Sequence, residues 1–181
     1  MKLISTEFYG CYLIHPNILQ DTRGSFIKTY NKAMFNEWGI ESDFDEGYYT
    51  ISNKNVIRGL HFQLPPKDHA KLVYCAKGKV MDVVVDLRVD SSTFGQHTIF
   101  YLSSENGKIL YIPPGLAHGF CAMEDNTIMM YSVTTVYSTE HDYGIRWDSV
   151  GIQWPVCNPV LSTRDKALPS FADFSSPFKL K

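Results

Sequence analysis

The sequence predicts an all-β barrel or sandwich. Short apolar runs recur along the chain, and clusters of Gly, Pro, Asn, Asp and Ser separate them, which is typical of strands joined by tight turns. At 181 residues, 44% hydrophobic and 20% charged, the chain is long enough for one sizeable core and short for two. We therefore expect a single domain over residues 1–181.

The expected elements follow in chain order. Strands are predicted at residues 8–15, 25–30, 44–52, 72–75, 80–85, 97–102, 109–112, 117–121 and 127–137, with a central strand after the turn at 53–55. A short helix is predicted at residues 31–38, because Met34, Phe35 and Trp38 recur at helical spacing before Gly39. Near the C-terminus, Ser162 is a candidate N-cap for a helix that starts at Asp165, which local sequence places on the surface.

Charge and composition exclude some partners. The formal net charge of −2 gives no field that would attract nucleic acid. The first residues lack the continuous apolar region of a signal peptide, and no window approaches the roughly 20 apolar residues of a membrane span. The four cysteines, Cys11, Cys75, Cys121 and Cys157, are far apart, which favours buried free thiols. We expect a cytoplasmic protein that binds neither nucleic acid nor membrane.

Charged residues interrupt the apolar pattern between residues 55 and 86. The runs 72–75 and 80–85 flank Gly78, which predicts a hairpin in which Lys71 lies opposite Val84 and Asp82 opposite Val73. Lys71 and Asp82 would then point from the same face of the sheet and could form an interior ion pair. The alternative is that Lys71 lies in water at a strand end.

Arg58 and His61 are three residues apart, so a regular strand would direct them to opposite faces. Gly59 lies between them, and a glycine inside a strand often marks a bulge. A bulge there would bring both side chains into one cavity. A single histidine is more often a surface or core residue, but its charged neighbours favour a functional role for His61.

Two tyrosines share one face of the predicted strand 127–137. Tyr131 and Tyr137 would stand about 20 Å apart at the usual strand rise, which matches the span of an extended nucleotide sugar. Tyrosine is also favoured in strands and needs no ligand there. Arg23 lies beside Gly24 in a predicted turn, where a solvated arginine is the ordinary interpretation.

The sequence nevertheless contains the motifs RGLHFQ at 58–63, KLV at 71–73, FG at 94–95, IPPGLAHGF at 112–120, IQWP at 152–155 and LSTRD at 161–165. These motifs resemble those of one family, the dTDP-4-dehydrorhamnose 3,5-epimerases. Their order and spacing cover nearly the whole chain, so together they are far more specific than any one of them.

The resemblance implies a cupin-type jelly-roll β-barrel with short peripheral helices, and a homodimer that shares strands. It implies a nucleoside-diphosphate 4-keto-6-deoxy sugar as substrate, with neither a metal nor another cofactor. The His-x-His motif of metal-binding cupins is missing, since Phe62 and Gln63 follow His61.

Epimerisation beside a ketone needs a base on one face of the sugar, an acid on the other and cations near the enolate oxygen. By resemblance, His61 is the base, Asp165 orients and stabilises its ring, Tyr131 is the acid and Lys71 lies near the keto oxygen.

The resemblance also implies the substrate-binding positions. Arg58 and His118 would contact the substrate, Arg23 and Arg164 the anionic nucleotide portion, and Tyr137 would pack against the nucleotide. The remaining predicted substrate-binding residues are Lys28, Glu46, Tyr48 and Asp142.

Three of these residues depart from the family pattern. Lys28 replaces a glutamate, and Glu46-Gly47-Tyr48 replaces Gln-Asp-Asn. Thymine N3–H prefers an acceptor, whereas cytosine N3 can accept a bond from a lysine, so the substrate is predicted to carry dTDP or, alternatively, CDP. The alternative for Lys28 is that it is solvated or meets a phosphate.

Two further questions stay open at this point. The inverted carbon is C3, C5 or both. The alternatives from other classes are a non-catalytic sugar-binding cupin and a metal-dependent cupin that uses His61, His69 and His118.

Overall fold

The computed structural model describes residues 1–180, and strands dominate it. The strands are β1 Lys2–Ser5, β2 Tyr12–His15, β3 Ile18–Asp21, β4 Gly24–Ile27, β5 Glu46–Ser52, β6 Ile57–Gln63, β7 Lys71–Lys77, β8 Lys79–Asp86, β9 His97–Ser103, β10 Ile109–Ile112, β11 Leu116–Ala122, β12 Thr127–Val133 and β13 Asp142–Gly144. Two short helices, α1 Lys32–Glu37 and α2 Thr163–Ala167, and a 3₁₀ turn, Phe171–Asp173, lie at the periphery. The all-β prediction is confirmed.

Two antiparallel sheets form the body of the protein. One has six strands in the order β1-β2-β10-β7-β12-β5, and the other has five in the order β13-β6-β11-β8-β9. Val73 and Met129 of the first sheet pack with Val84 and Phe120 of the second in one buried cluster. Sheets with antiparallel strands that enclose a common core in this way make a jelly roll.

The predicted hairpin between β7 and β8 is wrong. Both strands exist and Gly78 has the expected positive φ of 80°, but β7 pairs with β10 and β12 whereas β8 pairs with β11 and β9. The chain therefore crosses from one sheet to the other at Gly78. An added Cβ there would lie 2.6 Å from the hydroxyl oxygen of Thr127, so this close crossing requires glycine.

Side chains of the five-stranded sheet alternate between two apolar environments. Along β8, Val84 faces the core between the sheets, while Val83 and Val85 face a second cluster on the outer side. The C-terminal segment supplies Trp154 and Phe178 to that second cluster. Because both faces are covered, the strand is a nearly continuous apolar run.

The same C-terminal segment brings α2 to the sheet. The backbone N–H of Ile57 donates to the carbonyl of Val160 at 3.1 Å, just before Ser162 caps α2 by accepting from the N–H of Asp165. The predicted N-cap is confirmed. Asp165 is only 3% exposed, which does not fit the surface helix start that its local sequence suggested.

Several predicted strand ends are also corrected. β2 begins at Tyr12 instead of residue 8, and β12 ends at Val133 instead of residue 137. Tyr137 therefore lies beyond the strand that carries Tyr131, and the shared-face argument for the two tyrosines is wrong. The helix at 31–38 is confirmed, with Asn31 as its N-cap.

Cys11, Cys75 and Cys121 are buried free thiols, as predicted, whereas Cys157 is exposed. Among residues 1–180, no helix is both long and apolar enough to cross a membrane.

Candidate active site

A cavity of about 360 Å³ lies between the two sheets. The six-stranded sheet supplies its wall on one side and the five-stranded sheet on the other. The lining residues are Glu46, Tyr48, Thr50, Arg58, His61, Phe62, Gln63, His69, Lys71, His118, Phe120, Tyr131, Val133, Tyr137, Asp142 and Arg164. This volume is within the range of small-ligand sites.

A bulge in β6 directs both Arg58 and His61 into the cavity. His61 lies opposite His118 of β11, and Arg58 lies opposite Phe120, so β6 has one residue more than β11 between the two pairs. Gly59 occupies the bulge with a φ of 137°, and an added Cβ would lie 2.6 Å from the Cα of Gly119. The predicted bulge is confirmed. It requires glycine because of the positive φ and because a Cβ would collide with β11.

His61 forms a hydrogen bond with Asp165 of α2. The Nε2 atom of His61 lies 2.7 Å from Oδ1 of Asp165. With Nε2–H donating to the carboxylate, the Nδ1 atom of the ring keeps its lone pair. The imidazole is therefore oriented by the carboxylate and has one nitrogen available to accept a proton.

Electrostatics favour a neutral His61 beside an ionised Asp165. Burial lowers the pKa of His61, and the hydrogen bond that its ring donates to Asp165 only partly opposes this effect. Burial alone would raise the pKa of Asp165, but the hydrogen bonds from the His61 ring and from the backbone of Gly59, with the nearby charge of Arg164, together lower it. The pair thus has the charge state of a general base with its supporting carboxylate.

Tyr131 lies on the opposite sheet, in β12, and is 7% exposed. Burial and the negative charge of Asp82 raise the pKa of its phenol well above the ordinary value. The phenol therefore remains protonated near neutral pH and has a proton to donate. His61 and Tyr131 face a common cavity from different sheets, although no local pattern links them.

Lys71 is buried, but the predicted direct ion pair with Asp82 is wrong. Its Nζ donates to the backbone carbonyl of His61 at 3.1 Å, while Oδ2 of Asp82 lies 2.8 Å from Nε2 of His118. The error follows from the wrong strand pairing, since β7 and β8 belong to different sheets. Burial lowers the pKa of Lys71 to about 8, with the charges of Asp142 and Asp82 opposing it.

A network of polar contacts closes one side of the cavity. The backbone N–H of Tyr137 donates to Oε2 of Glu46 at 2.7 Å, and its hydroxyl donates to Oδ2 of Asp142 at 3.3 Å. Arg164 pairs with Asp142 at 2.8 Å and keeps 41% of its side chain exposed. Tyr137 is thus placed at the cavity although it lies outside β12.

Arg23 and Lys28 are not among the residues that line the cavity. Arg23 lies in the hairpin of β3 and β4, where it pairs with Asp21 and is 87% exposed. This hairpin is a separate two-stranded sheet. Within one copy of the chain, the structure therefore does not bring these two cations to the other candidate residues.

Sequence analysis missed Gln63 as a site residue. Its amide nitrogen donates to the carbonyl of Lys67 at 2.8 Å and to Nδ1 of His69 at 3.1 Å, and its carbonyl oxygen accepts from the N–H of Ser138 at 2.7 Å. Gln63 thus joins the segments before β7 and after Tyr137. Its position two residues after His61 on the same strand face was the available signal.

Nδ1 of His69 and Nε2 of His118 each form a hydrogen bond with another protein group. Nε2 of His69 is buried and has no hydrogen-bond partner within the described part of the chain. In the part of the chain that the structure describes, no group of three or more His, Cys, Asp or Glu side chains is placed to hold a metal ion.

A jelly-roll barrel with a histidine–carboxylate pair on one wall and a protonated phenol on the other defines a cupin-type enzyme of the epimerase class. The comparisons with known proteins agree. A family model described as dTDP-4-dehydrorhamnose 3,5-epimerase matches residues 5–173. The chain belongs to this family.

Curated and solved relatives cover almost the whole chain. The dTDP-4-dehydrorhamnose 3,5-epimerase of Shigella flexneri is 40% identical over 176 residues, which are 96% of this chain and 97% of the relative. The Bacillus anthracis enzyme, solved with TDP and PPi bound, is 41% identical with a TM-score of 0.91, covering 93% of this chain and 98% of that one. The Legionella pneumophila enzyme in complex with dTDP-4-keto-L-rhamnose is 33% identical with a TM-score of 0.94, covering 99% of each chain.

Proposed function

We propose that this chain epimerises C3, C5 or both in a nucleoside-diphosphate 4-keto-6-deoxyhexose, as a step of deoxysugar biosynthesis. The observation that carries the proposal is the placement of His61 and Tyr131 on opposite sheets around one cavity. An epimerase must remove a proton from one face of a carbon and return one to the other face, so its base and acid must be separated in this way. The whole of residues 1–181 acts as one domain in this proposal, and the family match over residues 5–173 supports that.

The reaction begins at His61. Its Nδ1 accepts a proton from the carbon next to the C4 ketone, and the electron pair of that C–H bond moves into an enolate. Nε2–H of the ring continues to donate to Asp165, whose carboxylate stabilises the imidazolium. The ammonium of Lys71, near the carbonyl of His61, stabilises the negative enolate oxygen.

The second half of the reaction uses the opposite wall. The hydroxyl of Tyr131 gives its proton to the enolate carbon, the C4 ketone re-forms, and the carbon has inverted. Solvent then returns a proton to the phenolate and takes one from His61. No net proton or electron is gained or lost, so the residues need no cofactor for these steps.

The nucleotide portion extends from the cavity toward the network of Tyr137, Glu46, Asp142 and Arg164. Arg58 and His118 contact the sugar end, while the planar guanidinium of Arg164 takes a phosphate. Tyr137 packs against the base. The relatives solved with TDP and with a dTDP-sugar support dTDP as the nucleotide, and Lys28 makes CDP the alternative.

A homodimer completes this arrangement, because Arg23 and Lys28 lie outside the cavity of their own chain. The hairpin that carries them exposes Leu19 at 63% and Phe26 at 62%, and such apolar exposure supports a contact with a second copy.

Mixing Arg23→Ala and His61→Ala subunits tests this contact. If Arg23 acts in the partner's site, each hybrid dimer keeps one intact site, and an equimolar, fully exchanged mixture recovers about a quarter of wild-type activity. No recovery places Arg23 in its own site.

We place the protein in the cytoplasm, where nucleotide sugars are made and thiols stay reduced. The four free cysteines support this placement.

One experiment tests the function. The protein is incubated in heavy water with dTDP-linked and CDP-linked 4-keto-6-deoxyglucose, and mass spectrometry and NMR follow deuterium at C3 and C5. Incorporation with inversion is expected, and it identifies the nucleotide and the carbon together. Absence of exchange with every nucleotide sugar would instead favour a non-catalytic sugar-binding cupin.

Dissociation constants for dTDP and CDP decide which base the substrate carries, since a clear preference for dTDP removes the cytidine alternative.

A further inference from the structure

The ring of Tyr48 stacks on the ring of Tyr131. Their ring centroids are 4.7 Å apart and their planes differ by 14°. The two residues lie directly opposite each other on the paired strands β5 and β12, so the backbone register fixes the contact. An offset stack of this kind is a favourable arrangement for two aromatic rings.

A second ring limits the movement of Tyr131 from another side. The imidazole of His118 meets the phenol ring edge-on, with centroids 6.1 Å apart, and its Nε2 is held by Asp82. Tyr131 is thus enclosed between a fixed imidazole and the face of Tyr48. These two contacts restrict the movement of the Tyr131 ring.

Tyr48 is more exposed to solvent than Tyr131, the residue on which it stacks. Its exposure is 40%, compared with 7% for Tyr131, so it forms the solvent-facing side of the stack. Burial and the charges of Glu46 and Asp142 raise the pKa of the Tyr48 phenol to about 12. Tyr48 therefore stays neutral and does not titrate while Tyr131 transfers its proton.

We infer that Tyr48 is a positioning residue for Tyr131, and that its ring determines whether proton exchange is followed by inversion. This inference rests on the proposed function and assigns Tyr48 a role beside the sugar in addition to its predicted contact with substrate. Loss of the stack allows the Tyr131 ring to turn, and a small displacement of a reacting group lowers its rate steeply. The enolate is then reprotonated from the His61 side, and the carbon keeps its configuration while exchanging its hydrogen with solvent.

The test compares two substitutions at one position. Tyr48→Ala removes the ring, whereas Tyr48→Phe keeps the stack and removes only the hydroxyl. In heavy water, the ratio of inversion to deuterium exchange is expected to fall about tenfold or more in Tyr48→Ala and to stay near the wild-type value in Tyr48→Phe. Tyr101→Ala is the matched control, because Tyr101 is also a partly exposed tyrosine, at 50%, and lies on the edge strand β9 of the other sheet.

Three results distinguish failure of the inference about Tyr48 from failure of the proposed function. An unchanged ratio in Tyr48→Ala overturns the inference and leaves the proposed function intact. An equal fall in Tyr48→Phe shows that the hydroxyl, not the stack, is responsible, and also overturns it. Lack of exchange in the wild-type protein rejects the proposed function.

A direct measurement on Tyr131 does not depend on activity. The phenol is titrated by ¹³C NMR of labelled tyrosine, with its signal assigned by Tyr131→Phe. Because removal of Tyr48 exposes the phenol to water, its pKa is expected to move down toward the ordinary value in Tyr48→Ala and to change little in Tyr48→Phe. A Tyr131 pKa that is the same in wild type and Tyr48→Ala contradicts the stacking role, and circular dichroism shows whether each variant has folded.

Discussion

The Nε2 atom of His61 and the Oδ1 atom of Asp165 lie 2.7 Å apart although the two residues are 104 positions apart in the chain. His61 is on a central strand, and Asp165 is in the first turn of a five-residue helix capped by Ser162. The C-terminal segment packs on the outer face of the sheet and holds this helix against β6. The folding of the tail is therefore necessary for the pairing of His61.

Replacement of Asp165 by asparagine should change both the rate and its pH dependence. The carboxylate opposes the lowering of the His61 pKa by burial, so its loss lowers that pKa further. Because the base must be neutral, the acidic limb of kcat/KM is expected to move to lower pH. The plateau rate should fall about 10²- to 10⁴-fold, as for the carboxylate of other His–Asp pairs.

Asp148→Asn is the control for Asp165→Asn, since Asp148 pairs with Arg146 at the surface. It should leave the profile unchanged. An acidic limb that moves to higher pH in Asp165→Asn would contradict the proposed charge state.

His61→Ala and Tyr131→Phe should have different effects on the same substrate. Without the base, exchange at either carbon is expected to be lost, by a factor of about 10² to 10⁴ or more. Without the acid, some proton abstraction continues, but inversion is impaired. Deuterium incorporation and product configuration are measured together by mass spectrometry and NMR. Equal loss of exchange in the two variants would show that the roles are not separate.

Lys71 should produce the alkaline limb of the pH profile. Burial lowers the pKa of its ammonium to about 8, so the charge that we propose stabilises the enolate is lost as the pH rises through that value. The kcat/KM of the wild-type protein is expected to fall above about pH 8. In Lys71→Arg the guanidinium remains charged, and the limb should move to higher pH even if the plateau is lower. The assignment fails if the limb stays in place.

Gly59→Ala should destabilise the protein more than Gly24→Ala. Both glycines have a positive φ, 137° and 118°, and alanine in such a conformation costs about 1–3 kcal/mol. Nothing lies within 4 Å of an added Cβ at Gly24, whereas one at Gly59 meets the Cα of Gly119 at 2.6 Å. Overpacking should therefore add about 1–3 kcal/mol at Gly59.

Urea denaturation measures the free energy of unfolding of the two glycine variants. Equal losses would mean that the close approach of β6 and β11 is unimportant. Gly59→Ala should also lower activity, because the bulge directs Arg58 and His61 into the cavity.

Local patterns predicted the parts of the fold that depend on neighbouring residues. Period-two alternation identified most strands, and β10 was predicted with its observed ends. Gly59 indicated the bulge, and Ser162 indicated the start of α2. Pairing between strands is not local, however. The pattern around Gly78 fits a hairpin and a crossing between sheets equally well, so the partners of β7 and β8, and with them the contacts of Lys71 and Asp82, could not be derived.

For this protein the sequence by itself determined the all-β class, the glycine-dependent bulge and, through its motifs, the family and the candidate residues. Only the tertiary structure decided that His61 and Tyr131 face one cavity from two sheets, that Asp165 is buried against His61, and that Tyr48 stacks on Tyr131. The physical reason is that strand periodicity sets the face on which a side chain lies, whereas packing of the sheets and the tail decides what that face meets.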